Sequence, residues 1–190
     1  MTLITFRFIL KMNFKKNRQS CFPALTKCCL LFIGMILPFC TQAEKYQSRE
    51  DFLIEAFSGP PPPAKLFWLK KELKDPVSKI LQHPPGFLRT RYWLRDNTTV
   101  WILEETGKIK PITVGVIISN HQISRLKVLA FRESRGWEVK HSFFTDQFNA
   151  ITLKDDLSLN RPIDGLSGAT LSVRALKKIA QLALFFDRQL

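Results

Sequence analysis

The chain has 190 residues, 45% of them hydrophobic, and sets 29 Lys and Arg against 16 Asp and Glu for a formal charge of +13. That length and apolar share suit one folded domain with an ordinary core. The bases are scattered, apart from short groups such as Lys70-Lys71 and Arg89 to Arg95, and no basic stripe on a recognisable module supports nucleic-acid binding.

Residues 1–43 hold no acid and six bases, Arg7, Lys11, Lys15, Lys16, Arg18 and Lys27. The apolar run CCLLFIGMILPFC (28–40) follows, then TQA and a polar stretch. This order reads as a secretory signal peptide cleaved near Ala43, with translation starting at Met1 or Met12 and a periplasmic destination. The apolar run is shorter than the roughly 20 residues that span a bilayer, so an uncleaved leader anchored in the inner membrane is the alternative. Phe39 stands where a lipoprotein signal carries a small residue before its cysteine, which argues against lipidation of Cys40. Cleavage would remove Cys21, Cys28, Cys29 and Cys40, and with them any disulfide framework or thiolate metal site. It would leave 23 bases against 16 acids, a charge of +7.

Residues 48–57 carry apolar side chains at helical spacing behind the capping candidate Ser48. Pro60 to Pro63 exclude helix and read as a stiff polyproline spacer or surface arm. Residues 65–83 suggest one or two short helices, with Pro76 tolerated at a helix start. After Pro84-Pro85-Gly86, residues 89–105 alternate around the turn signal Asp96-Asn97 and read as a hairpin. Residues 111–134 form a second hairpin, whose β-branched runs flank a turn near Asn120-His121. Trp93 and Trp101 alternate with polar residues and belong to the core or a sheet face. Residues 135–152 mix Gly with aromatics and take no clear assignment. Leu171, Ala175, Leu176, Ile179, Leu182, Ala183 and Phe186 recur at three- and four-residue steps, opposite Arg174, Lys177, Lys178 and Gln181, so the chain ends in an amphipathic helix. The fold class is α+β: a mainly antiparallel sheet of two hairpins packed by helices.

The stretch DGLSGATLS (164–172) opens that last helix. Read plainly it is a helix N-terminus, with Ser167 as cap, Gly168 easing the entry and Thr170 in the first turn. A helix N-terminus also carries unpaired N–H groups and the positive end of the helix dipole, a natural seat for phosphate. Gly168 and Ala169 remove bulk there, Thr170 offers a hydroxyl, and Arg174 adds positive charge one turn on. A nucleophile elbow of the form G-x-S-x-G starts at Gly165 but fails at Ala169, and no histidine follows His141 to complete a hydrolase triad. His83, His121 and His141 are too scattered for a metal site, and Asp155-Asp156 read as solvated loop acids.

The spacing D-x-x-S-G-A-T-x-S resembles the flavinylation motif of the FMN-binding domain family, whose covalently flavinylated domain is found also in the sodium-translocating NADH:quinone reductase and in the Rnf complex. The resemblance extends back through PITVGVIISNHQISRLKVLAFRESRGWEV (111–139), covers about residues 100–190, and departs from the family's Glu-Thr-Pro-Gly-like turn at Glu133-Ser134-Arg135-Gly136-Trp137. It implies one FMN linked through its phosphate to Thr170, within a site of Asp164, Ser167, Gly168, Ala169 and Ser172, attached by a separate FAD-dependent FMN transferase. Arg174 joins that site as a nearby charge. Trp137 is either a platform for the flavin ring or a core residue, and Glu133 either fixes the turn near the flavin or is an ordinary loop acid.

The organisation expected is then a signal peptide (1–43), a helical and Pro-rich region with the first hairpin strand (44–99), and an FMN-binding domain (100–190). The motif holds no acid–base pair and no metal cluster, so no catalytic residue is assigned. The resemblance implies an electron-transfer carrier working between membrane-bound or periplasmic redox partners. A non-redox envelope binding module on the same scaffold is the alternative, and a flavin-dependent reductase the third reading.

Overall fold

The computed structural model describes residues 44–190, so the leader and its cleavage site lie outside the described residues. Six strands form one antiparallel sheet in the order β1-β6-β5-β4-β3-β2. They are β1 (Glu44–Lys45), β2 (Lys65–Trp68), β3 (Arg89–Arg95), β4 (Thr98–Thr106), β5 (Pro111–Ser119) and β6 (Gln122–Phe131). The helices are α1 (Arg49–Phe57), α2 (Lys74–Leu81), the single turn α3 (Ser142–Thr145) and α4 (Thr170–Asp187). The α+β class and the two central hairpins are as the alternation of the sequence indicates.

Both hairpin turns form where turn residues stand. Asp96 has φ 51°, and Asn120 and His121 have φ 51° and 60°, left-handed values that suit tight connections between twisted strands. Asn97 Nδ2 donates to Asn120 Oδ1 at 2.9 Å, tying the two turns together. Strand β5 is buried along 112–118 because helices cover both faces of the sheet at its centre.

On one face α4 lies across β4 and β5, and α2 packs against α4. Trp101 is fully buried there, edge-on to Phe67 at 5.7 Å and stacked on Tyr92 at 5.0 Å. On the other face α1 inserts Phe52 and Leu53 against Val100, Ile117 and Leu129. Ser48 caps α1, its side chain accepting from the Asp51 N–H at 2.9 Å. Glu55 fastens α1 to β6 through Arg125 and Lys127 and takes a 2.8 Å bond from Gln47 Nε2.

Two expectations change. Residues 65–68 are a strand, not helix: pairing with β3 decides the backbone, and Phe67 alone turns into the core between exposed Leu66 and Trp68. The period of two was hidden within a longer apolar-basic run. Leu171 stands exposed rather than on the buried face of α4, while Ser172 and Val173 take the buried positions in that turn. Pro76 is the third residue of α2, in the first turn where its missing N–H costs no helical bond. The segment between β6 and α4 is stitched to the sheet by Ile123 N–H to Ile151 O (2.9 Å) and Ala150 N–H to Ile123 O (2.7 Å), with Phe144 and Phe148 fully buried. Among the described residues, no helix is long and apolar enough to cross a membrane.

Candidate functional site

The motif forms a tight turn that delivers the chain into α4. Gly168 takes φ 79°, a left-handed value open to glycine, and the Ala169 N–H returns to Leu166 O at 3.0 Å. The helix begins at Thr170 with Ala169, not Ser167, in the cap position and with no side-chain cap. Ser167 sits inside the preceding turn, too early to reach the first-turn amides. Those N–H groups therefore keep the unspent donor capacity of an uncapped helix start. Thr170 is exposed, while Ala169 beneath it is buried.

A cleft of about 610 Å³ is lined by residues 168–172 together with Lys108, Glu133, Ser134 and Arg135. Its volume falls within the range of small-molecule sites. Glu133 shapes the wall. Its Oε1 accepts three backbone N–H bonds, from Lys108 (2.6 Å), Ile109 (2.6 Å) and Lys110 (2.8 Å), which hold the β4–β5 loop. Burial pushes the Glu133 pKa up, but those three donors and the Lys110 charge outweigh it and set it below the ordinary carboxylate value. The next residues dock on the motif itself. Gly136 (φ 82°) approaches so closely that a Cβ there would stand 2.7 Å from Ser172 Oγ and 3.3 Å from Ala169 Cα.

A second groove, of about 350 Å³, meets Thr170 from the side of α2. Ile80, Ile163 and Val173 give it apolar surface, and Arg174, Lys177 and Lys178 line it with positive charge. Beside it, Lys178 Nζ lies 3.3 Å from Glu105 Oε1, and His83 Nε2 lies 3.2 Å from the same buried oxygen.

The expected site residues therefore divide. Thr170, Gly168, Ala169, Ser172 and Glu133 share the larger cleft. Arg174 lines only the neighbouring groove, in which Thr170 also takes part. Asp164 and Ser167 are not among the lining of either; the Asp164 N–H is fixed by Gln147 Oε1 at 2.8 Å. Trp137 is no core residue, being 46% exposed, and it lies outside the lining of the cleft. It starts a single 3-10 turn, Trp137–Lys140, and meets His141 edge-on at 5.3 Å.

Sequence reasoning missed Lys108 and Arg135, the cations of the cleft wall, and the buried Glu105. Lys108 reaches the site only through the loop that Glu133 holds, a contact across 25 residues that no local pattern announces. Arg135 was within reach, since it stands inside the turn that departs from the family pattern. Among the described residues, no group of three or more His, Cys, Asp or Glu could hold a metal ion.

The arrangement is an exposed threonine at an uncapped helix N-terminus, lining a cleft together with two cations and one carboxylate that is already bonded to backbone N–H groups: chemistry suited to a phosphorylated ligand. Residues 107–184 match the FMN-binding domain family. No curated protein and no solved structure matches the chain. The matched stretch runs from the loop before β5 to near the end of α4, and so contains the motif and all of the larger cleft's lining.

Proposed function

We propose, from the premise that residues 107–184 are an FMN-binding domain of a flavin-binding protein, that one FMN is carried as a phosphoester on Thr170 Oγ. The observation that supports it most is the exposed Thr170 in the lining of the 610 Å³ cleft, on a helix start that no side chain caps. The residues present fit the group. Free first-turn N–H groups and the positive end of α4 would receive the phosphate. Lys108 and Arg135 supply positive charge to the same cleft, and Gly168, with nothing within 4 Å of where a Cβ would stand, lies beside open space.

FMN, when bound, supplies one- and two-electron redox chemistry, and this chain supplies position and charge. Glu133 keeps the Lys108 loop against the cleft, and Gly136 lets the 133–137 turn seat on Ser172 and Ala169. The family that residues 107–184 match favours an electron carrier over a reductase. The protein works after export to the periplasm, is loaded by an FAD-dependent FMN transferase, and exchanges electrons with membrane-bound or periplasmic partners. The leader-like residues 1–43 support that placement.

Coexpression with such a transferase and intact-mass measurement tests the reading. The expected product carries one FMN and keeps its yellow colour through denaturation, and Thr170→Ala abolishes both. An unmodified mass, or an adduct that survives Thr170→Ala, overturns it. Turnover of a small substrate without redox partners would replace the carrier by a reductase.

A further inference from the structure

We infer that the β2 edge of the sheet is a docking surface for an anionic lipid bilayer. Among the described residues, strand β2 ends the sheet order and pairs only with β3. Leu66 and Trp68 alternate with the buried Phe67, so they share the face turned away from the core, and they are 47% and 56% exposed. The register sets Arg91 opposite Leu66 and Arg89 opposite Trp68, and the Arg89 guanidinium lies 5.4 Å from the Trp68 ring centroid. Leu88 stands at the end of the same ladder, 66% exposed, its carbonyl accepting from the Leu69 N–H at 2.9 Å. Between the two strands Leu66, Arg89 and Arg91 border a shallow cleft of about 510 Å³.

The charge here has one sign. Residues 64–71 and 86–91 contribute Lys65, Lys70, Lys71, Arg89 and Arg91 and no acid. None of the five forms an ion pair among the described residues. An exposed tryptophan and leucines amid long cationic side chains match the boundary of an anionic membrane: the rings and aliphatic stems enter the headgroup layer while the charges meet lipid phosphates. A protein partner adding a strand is the weaker fit, because β2 offers only four residues and follows a proline run. Docking rests on this edge alone and does not depend on Thr170.

Vesicles of phosphatidylglycerol and phosphatidylcholine with brominated acyl chains test it on the full chain, read by tryptophan quenching. All four tryptophans lie at 68, 93, 101 and 137, so residues 1–43 contribute no signal. Anionic vesicles should quench the wild type, Trp68→Phe should remove most of that quenching, and Trp137→Phe should leave it. Arg89→Ser with Arg91→Ser should raise the lipid needed for half-maximal quenching by at least tenfold, at about fivefold per cation lost. Thr170→Ala should behave as the wild type. Equal quenching by neutral vesicles, no quenching by anionic ones, or quenching that survives Trp68→Phe overturns the inference. So does an acidic protein cross-linked at position 68 in cells in place of lipid.

Discussion

Gly136 and Ser172 touch across the candidate site, so closely that a single Cβ on the glycine would fall 2.7 Å from the serine Oγ. The contact joins the turn after β6 to the first turn of α4, and it needs glycine twice, for the space and for φ 82°. Gly136→Ala should destabilise the protein by about 2 kcal/mol or more, from the left-handed backbone and the overpacking together. It should also lower flavin loading by coexpressed transferase, since the turn can no longer seat on the motif. Urea denaturation and intact mass check the two effects. Unchanged stability would mean that the turn does not rest on α4.

Glu133 gives the site a pH dependence. Its carboxylate is ionised more readily in the fold than in the unfolded chain, whose ordinary value is 4.5. A lowered acid contributes stability that is complete above that value and is lost as pH falls through the folded-state pKa. Glu133→Gln should therefore cost about 1–2 kcal/mol at pH 7, from weakened bonds to three N–H groups. The gap between variant and wild type should close below pH 4.5, in denaturation curves taken across the acid range. A gap that persists in acid would sink the role given to the ionised carboxylate.

The sequence made these features legible to different degrees. Strands with strict alternation or dense β-branching, β3 to β6, announce themselves, and so does α1 behind Ser48. Strand β2 did not, because four residues beside basic neighbours carry too little periodicity and only pairing with β3 makes them a strand. Ser167 looked like a cap by residue type, yet Gly168 bends the chain so that Ala169 takes the position. The motif named Thr170 and its neighbours, whereas the opposing wall depends on contacts between residues far apart. Glu133 reaching Lys108 and Gly136 reaching Ser172 are products of the fold, and no local spacing records them.

The glycine in the middle of β5 has a packing reason. A Cβ on Gly115 would collide with the edge of the Phe52 ring at Cε1, so α1 lies on the sheet only because this position is bare. Gly115→Ala should destabilise the fold by about 1–3 kcal/mol through overpacking. Phe52→Leu in the same chain should recover part of that loss, since the smaller side chain vacates the space. A double-mutant cycle on urea midpoints measures the coupling. Additive effects would contradict the contact.

Asp187 near the end of α4 is 7% exposed and keeps both carboxylate oxygens occupied. Thr99 donates to Oδ1 at 2.5 Å, His121 Nδ1 lies 2.8 Å from Oδ2, and Trp101 Nε1 donates to Thr99 at 3.2 Å. This chain of bonds pins the C-terminal turn of α4 to β4 and to the β5–β6 turn. Thr99→Val keeps the shape and strips two bonds, leaving a buried oxygen and an indole N–H without partners. The expected cost is about 1–3 kcal/mol. His121→Ala should cost less, because its exposed ring is replaced by water at the same oxygen. Equal losses for the two variants would show that Asp187 is better solvated than its burial indicates.

Thr170 separates chemistry from folding most cleanly. Its side chain is exposed and makes no cap, so Thr170→Val should keep the unfolding free energy within about 0.5 kcal/mol of the wild type, as for surface substitutions away from special features. The same change removes the only oxygen at that position able to carry a phosphoester, and flavin loading should fall to nothing. Thr170→Ser restores the oxygen without the methyl group and should accept FMN from the transferase, at a rate set by how far the missing methyl loosens the hydroxyl's rotamer. Intact mass over a time course compares the three chains. Loading of the valine variant would place the ester on another residue, with Ser167 and Ser172 as the hydroxyls to examine next.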